Sequence, residues 1–292
     1  MNGIINVYKP EGITSFDVVR VIKKVANTSK VGHTGTLDPL AKGVLPICIG
    51  KGTKLVDYIM EGNKVYKAQL KLGEITDTYD REGKILESKS YSNLTEKKII
   101  EVMSSFKKQY DQIPPMYSAL KVNGQRLYDL ARKGIEVERK GRPVTIYEME
   151  ILNIDIPFVN FRVKCSKGTY IRSICYDIGE ELGCGAYMTK LEREASGTFN
   201  IENSIKLENL TCDNFSENLI SMEDALKSYD SISVNNNFSK LLINGVSIMD
   251  KRVYNENIRE NKIYKVYNEE ENKFLGLGQK LPKGFKIIKL LL

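Results

Sequence analysis

The densest chemistry in the chain lies in one loop, Gly32-His33-Thr34-Gly35-Thr36-Leu37-Asp38-Pro39. Asp38 precedes a proline, which pushes its backbone towards extended angles. The flanking glycines allow close backbone approach. Such a loop can project a single carboxylate into a cleft from a rigid base. Beside proline and glycine an aspartate also commonly caps a turn. Arg172, in Lys167-Gly168-Thr169-Tyr170-Ile171-Arg172, is a candidate partner, because a guanidinium grips a carboxylate through charge and two-pronged hydrogen bonding. Tyr66 is an aromatic on an alternating strand, and His33 is the only histidine among 292 residues.

That single histidine excludes much. A catalytic triad or a histidine-rich metal centre would have to use His33, and five cysteines without a C-x-x-C pair leave a structural zinc site without ligands. Neither G-x-x-x-x-G-K-[ST] nor G-x-G-x-x-G occurs, so no nucleotide cofactor is expected. Asp77 and Asp80 sit by a turn without the glutamate a calcium loop needs at its twelfth position. They also give no second carboxylate motif for a hydrolase. No apolar run reaches the roughly 18 residues that span a bilayer, and Met1–Pro10 has no signal-peptide pattern. Reduced thiols in a cytoplasmic protein are the expectation.

The elements that must position these groups are legible in outline. Thr14-x-x-Asp17 opens a helix carrying Val18, Val19, Ile22, Val25 and Ala26. Residues 64–72 alternate as a half-buried strand with Tyr66, Ala68, Leu70 and Leu72 on one face. Thr95 caps a second helix. Strands are expected at 144–156 and 158–165, and a helix from Gly168 to Gly183. Residues 204–229 read as helical with connectors. Beyond Asp230 the segments SISV, KLLI, YKVY, KFLGLG and GFKIIKLLL read as short strands of a small β-barrel. The net charge of +7 is uneven: residues 107–143 hold nine basic and four acidic groups, and 230–292 hold eleven and seven. Residues 107–143 are also proline-broken and irregular, as functional loops are. Two basic regions flanking an acidic one suggest a polyanion gripped at two places.

Four ordered blocks resemble the TruB-type tRNA pseudouridine synthases. They are GHTGTLDPLAKGVLPICIG, Lys64-Val65-Tyr66 with Leu72-Gly73, Pro114-Pro115-Met116-Tyr117-Ser118-Ala119-Leu120-Lys121, and Cys165-Ser166-Lys167-Gly168-Thr169-Tyr170-Ile171-Arg172; Lys9-Pro10-x-Gly12 and Leu191-x-Arg193 also match. The resemblance covers about residues 3–200. It implies an α+β fold with a mixed sheet flanked by helices over 1–229, a thumb-like insertion at 107–143, and a small PUA-like RNA-binding barrel over 230–292. It implies isomerisation of one T-loop uridine of tRNA (position 55) to pseudouridine, without cofactor or metal and by a monomer. Asp38 is then the nucleophile, Arg172 its ion-pair partner, and Tyr66 the aromatic stacked on the target base and a candidate for proton removal. His33 fills the space vacated by the flipped base, and Leu191 lines the pocket. Tyr170, Gly35, Leu37, Lys9, Lys121 and Arg126 are expected at the substrate. Residue chemistry agrees, since this isomerisation needs no redox partner and no energy source. The alternative from another class is a non-catalytic tRNA-binding or tRNA-folding protein with the same surfaces.

If the two basic regions contact phosphates, tRNA affinity falls at least about tenfold between about 50 and about 200 mM salt. Filter binding across that range measures it, and a flat response removes the electrostatic grip.

Overall fold

The computed structural model describes residues 1–292. Strand β1 (Gly3–Lys9) leads into helix α1 (Ser15–Val25), capped by a reciprocal Thr14–Asp17 box, with Val18, Val19 and Ile22 buried. Strand β2 (Val31–His33) and strand β3 (Ala41–Ile49) pair antiparallel and enclose the Asp38 loop. A short helix α2 (Val56–Met60) precedes β4 (Lys64–Leu72), whose alternate residues from Lys64 to Leu72 are buried as the two-residue period requires. The small hairpin of β5 (Glu74–Thr76) and β6 (Ile85–Ser88) encloses a turn at residues 77–84. Helix α3 (Glu96–Ser105), capped by Thr95, buries Ile99, Val102 and Met103.

The basic stretch at 107–143 is not wholly irregular. Strand β7 (Gln109–Gln112) joins the main sheet, a two-residue hairpin forms from β8 (Lys121–Val122) and β9 (Gln125–Arg126), and helix α4 (Leu127–Ala131) follows. Met116, Leu127 and Leu130 form a small core of their own there. Long strands β10 (Arg142–Asp155) and β11 (Phe158–Cys165), helix α5 (Ile171–Glu181), β12 (Ala186–Ser196) and β13 (Phe199–Asn200) complete the centre.

Residues 204–229 depart from the helical expectation. They hold β14 (Ile205–Lys206), β15 (Leu219–Ile220) and two single 3-10 turns. The apolar residues there cover the edge of β1: β14 pairs with it in parallel and β15 antiparallel. The C-terminal stretch also differs. Its strands β16 (Ser231–Val234), β17 (Ile263–Asn268), β18 (Lys273–Leu281) and β19 (Gly284–Leu290) pair in a line and do not close into a barrel. KLLI lies in helix α6 (Asn236–Ile243), because the Asn235 side chain caps it and Phe238 and Leu242 face one side.

The main sheet runs β14-β1-β3-β12-β4-β11-β10-β7, parallel at β1–β14 and β3–β12 and otherwise antiparallel. The helices α1, α3 and α5 contribute buried residues to its main core. No helix is long and apolar enough to cross a membrane. All five cysteines are unpaired, four of them buried.

Three strands meet at Gly43, which lies opposite Lys9 on β1 and Arg193 on β12. Its φ is +112°, and a Cβ there would sit 2.3 Å from the Arg193 carbonyl oxygen. Gly43→Val therefore loses at least about 2 kcal/mol of stability, from the backbone conformation and the clash together. Urea unfolding measures this, and a loss below about 0.5 kcal/mol would contradict the packing described.

Candidate active site

The backbone on both sides of Asp38 is fixed. The buried Ser15 hydroxyl donates to the Leu37 carbonyl at 2.9 Å and accepts from the Leu37 N–H at 2.8 Å. On the other side the Gly12 N–H donates to the Pro39 carbonyl at 2.8 Å. Thr34 anchors the start of the loop, its N–H and hydroxyl both donating to the Pro46 carbonyl. Lys9, fully buried at the end of β1, donates its ammonium to the Pro10 and Ile13 carbonyls at 2.9 and 2.7 Å and lies 3.5 Å from that of Pro39. Burial lowers the Lys9 amine to about 8, against the pull of the nearby Asp38 carboxylate. Lys9 thus braces the loop from below.

Asp38 projects from this base and its side chain keeps 34% exposure, whereas its partner Arg172 keeps 7%. Arg172 Nη2 lies 3.0 Å from Asp38 Oδ2 and donates to the Tyr117 carbonyl at 2.9 Å. Nη1 donates to the Thr78 carbonyl and to Asp80 Oδ2, both at 3.3 Å. The guanidinium is gripped by the loop, by the 77–84 turn and by the stretch beyond β7.

Asp80 is the functional neighbour that sequence reasoning missed. Its side chain is 5% exposed. Thr78 Oγ1 donates to Asp80 Oδ1 at 2.7 Å, the Glu82 N–H donates to the same oxygen, and the Thr76 hydroxyl takes the Asp80 carbonyl. Burial pushes the Asp80 carboxyl up, opposed by the Thr78 hydroxyl and Arg172. Tyr79 adopts φ +61° and stacks on Tyr176 of α5 with ring centroids 4.1 Å apart, which presents Asp80 inward. Locally this segment reads as an ordinary turn, and only its partner 92 residues away gives the carboxylate a role.

Tyr66 on β4 lies opposite Arg193 of β12. Burial raises its phenol above the ordinary value, with Arg193 opposing, so the hydroxyl is protonated at neutral pH. Arg193 is 1% exposed and has no carboxylate within ion-pair reach; it donates to the Val44 carbonyl at 2.7 Å and the Gly35 carbonyl at 3.1 Å. Gly35 has φ +118°. Leu191, two residues before Arg193 on the same face, is buried beside Ala41 and Ala68. His33 ends β2; burial and then Arg193 lower its imidazole below the ordinary value, which favours the neutral ring, and its Nδ1 is buried without a partner. Tyr170, half-buried, precedes α5, and burial raises its phenol, Ser118 and Arg172 opposing.

The structure pairs Asp38 directly with Arg172, keeps Gly35 and Leu37 in the Asp38 loop with Lys9 beneath it and His33 at its start, sets Leu191 and Tyr66 on the adjacent strands β12 and β4, and places Tyr170 two residues before Arg172. Lys121 and Arg126 stand apart. They face each other across the β8–β9 hairpin, exposed, and border an open groove with Arg132 and Lys133.

A half-exposed carboxylate paired to a buried guanidinium, with an aromatic and an aliphatic side chain beside it on a mixed sheet, can add covalently to a planar base or to its sugar. Two family models match the chain. The TruB family pseudouridylate synthase N-terminal domain matches residues 23–171, and the tRNA pseudouridylate synthase B C-terminal domain matches 172–231. The chain belongs to the TruB family of pseudouridylate synthases. It is 60% identical over 291 residues to a tRNA pseudouridine synthase B of Clostridium acetobutylicum, and 61% identical over 292 residues to that of Clostridium novyi, covering all of each chain. That of Alkaliphilus oremlandii is 44% identical over 302 residues, covering all of this chain and 99% of the relative. Among solved structures, the fold is similar to a chain of a Cbf5-Nop10-Gar1 complex (TM-score 0.76, 27% identity, 99% of this chain and 85% of that one). It is also similar to a chain of an H/ACA RNP bound to a substrate RNA (TM-score 0.73, 25% identity, 99% and 85%). The architecture is thus the mixed pseudouridine-synthase fold, dominated by its sheet.

Asp80→Asn keeps shape but removes one of the two carboxylates facing a buried guanidinium. Single-turnover modification of tRNA should slow by roughly tenfold to a hundredfold through misplacement of Arg172, with tRNA affinity unchanged. A wild-type rate would show that Arg172 keeps its place without the Asp80 carboxylate.

Proposed function

We propose that the protein isomerises one uridine in the T-loop of tRNA, position 55, to pseudouridine, with Asp38 as nucleophile. The observation that carries this reading is the Arg172–Asp38 pair at 3.0 Å, with the arginine buried and the carboxylate at the surface of the cleft. The net reaction breaks the N1–C1′ glycosidic bond and forms C5–C1′; one proton leaves C5 and one is taken up on N1, so the product is an isomer of the substrate. An Asp38 oxygen adds to C6 of the base or to C1′ of the ribose and leaves again when the new bond is made. The detached base must be turned without being lost, so the site has to hold a planar ring. Tyr66 and Leu191 supply apolar faces for it. Arg172 aims the carboxylate.

The target uridine must first leave its stack, which costs a few kcal/mol. Contacts with phosphates and unstacked bases offset this cost, as in recognition of single-stranded RNA loops. The groove bordered by Lys121, Arg126, Arg132 and Lys133 suits the phosphates of the T-arm, and the 107–143 segment acts as the thumb that closes on it. Residues 230–292 serve as the second RNA-binding unit, with residues 1–229 as the catalytic one. His33 is neutral and acts by shape and stacking in the space the base leaves.

Base analysis of tRNA treated with purified variants tests the assignment. Asp38→Asn should bind tRNA like wild type and form no detectable pseudouridine. Asp38→Glu moves the oxygen by about 1 Å and should lose about 10²-fold or more. Arg172→Lys keeps charge without the two-pronged geometry and should be slow but active. An Asp38→Asn protein that retains a tenth of the rate removes Asp38 from the mechanism, and a wild type that binds tRNA without modifying it leaves a binding protein.

A further inference from the structure

Gln112 is the last residue of β7 and stands opposite Arg142 of β10, so it marks the point where the chain leaves the sheet to enter the thumb. It is 2% exposed. Its side chain makes three hydrogen bonds. Nε2 donates to the Tyr170 carbonyl at 3.1 Å and to the Tyr110 hydroxyl at 2.9 Å, and Oε1 accepts from the Tyr170 N–H at 2.8 Å. The amide can face only one way, because turning it over would set donor against donor and acceptor against acceptor. The Tyr110 hydroxyl in turn donates a hydrogen bond to Asp177 Oδ2 of α5 at 3.2 Å.

Tyr170 is the cap residue of α5, and its own side chain does not cap the helix. Gln112 therefore supplies from another segment a fixed hold on the helix start. Two neighbouring bonds reinforce it. The Ser173 hydroxyl donates to the Ile113 carbonyl at 2.8 Å, and Arg172 Nη2 donates to the Tyr117 carbonyl at 2.9 Å. Residues 170, 172 and 173 are thus tied to residues 112, 117 and 113. The first turn of α5 and the root of the thumb move together or not at all.

We propose that Gln112 is a positioning residue for the isomerisation: it holds the start of α5 from the root of the thumb and so sets Arg172, two residues further on, against Asp38. The proposal rests on the assignment of Asp38 and Arg172 made above. It makes the arginine's aim depend on where the thumb stands. An apolar residue of similar size would fill the same space, so packing alone gives no reason for an amide with all these bonds made.

Steady-state kinetics on unmodified tRNA, binding of tRNA and thermal unfolding of the full-length protein separate the cases. Gln112→Leu removes the three bonds and should lower kcat by about 10²-fold, with KM and Kd for tRNA within about threefold of wild type. Gln112→Glu keeps the acceptor for the Tyr170 N–H, at a helix start that favours negative charge, and should fall between Leu and wild type. A purely packing role reverses this order, since leucine would then be benign and a buried carboxylate harmful. The proposal is overturned by a raised KM with kcat unchanged, by wild-type kinetics in Gln112→Leu, or by the reversed order. If Gln112→Leu does not fold, Gln112→Asn, one methylene short, must show the same loss confined to kcat. Asp38→Asn run alongside separates the two claims. If it turns over, the assignment of the site fails; if it is dead while Gln112→Leu keeps full kcat, only the role of Gln112 fails.

Discussion

The site depends on one buried guanidinium. Arg172 sits nearly out of reach of water with four acceptors around it, two carboxylates and two backbone carbonyls. A buried charge left without partners costs several kcal/mol, so each segment that supplies an acceptor is held in place by the need to satisfy it. The Asp38 loop, the 77–84 turn and the chain beyond β7 have little else in common. They converge because a single planar cation with donors on fixed vectors can serve them all.

The sheet makes this convergence possible. β3 and β12 run parallel, so the loop that precedes β3 and the strand that carries Leu191 and Arg193 open towards the same end. β4 lies on the other side of β12 and brings Tyr66 opposite Arg193. Glycine is required where these strands crowd, because at Gly43 the Arg193 backbone occupies the space a side chain would need. Arg193, buried without a counter-charge, donates to carbonyls on β3 and in the loop, and its field adds to the burial that lowers the His33 imidazole.

What the sequence discloses follows from how local each signal is. Alternation over 64–72 marks β4 to the residue, and the Thr14–Asp17 pair marks the start of α1. Gly183, at φ +76°, ends α5 as expected. Asp38 and Arg172 are legible because each sits in a dense motif. Asp80 is not, since its neighbours describe a turn and its significance comes from an arginine on another element. Residues 204–229 mislead for a related reason: their apolar side chains are spaced like a helix but are spent along the edge of β1 in pairs of residues. The C-terminal strands are visible as strands, yet their open order is a matter of pairing, and pairing leaves no trace in composition. KLLI carries its correction in plain view, in the Asn235 cap just before it.

The order of the strands also has a consequence for how the molecule comes into being. β1 holds Lys9 under the loop, but its outer partners β14 and β15 lie some two hundred residues later, and β3 waits for β12 across about 150 residues. Closing loops of that length must precede any reward from the contacts they bring, which makes such topologies slow to form. On the ribosome the Asp38 loop emerges together with the Ser15, Gly12 and Pro46 groups that hold its backbone, whereas its partner Arg172 arrives more than a hundred residues later. Until β12 is made the edge of β3 is covered only by β2, and until β14 and β15 are made the outer edge of β1 has no partner, so the early segments carry open strand edges of the kind chaperones shield.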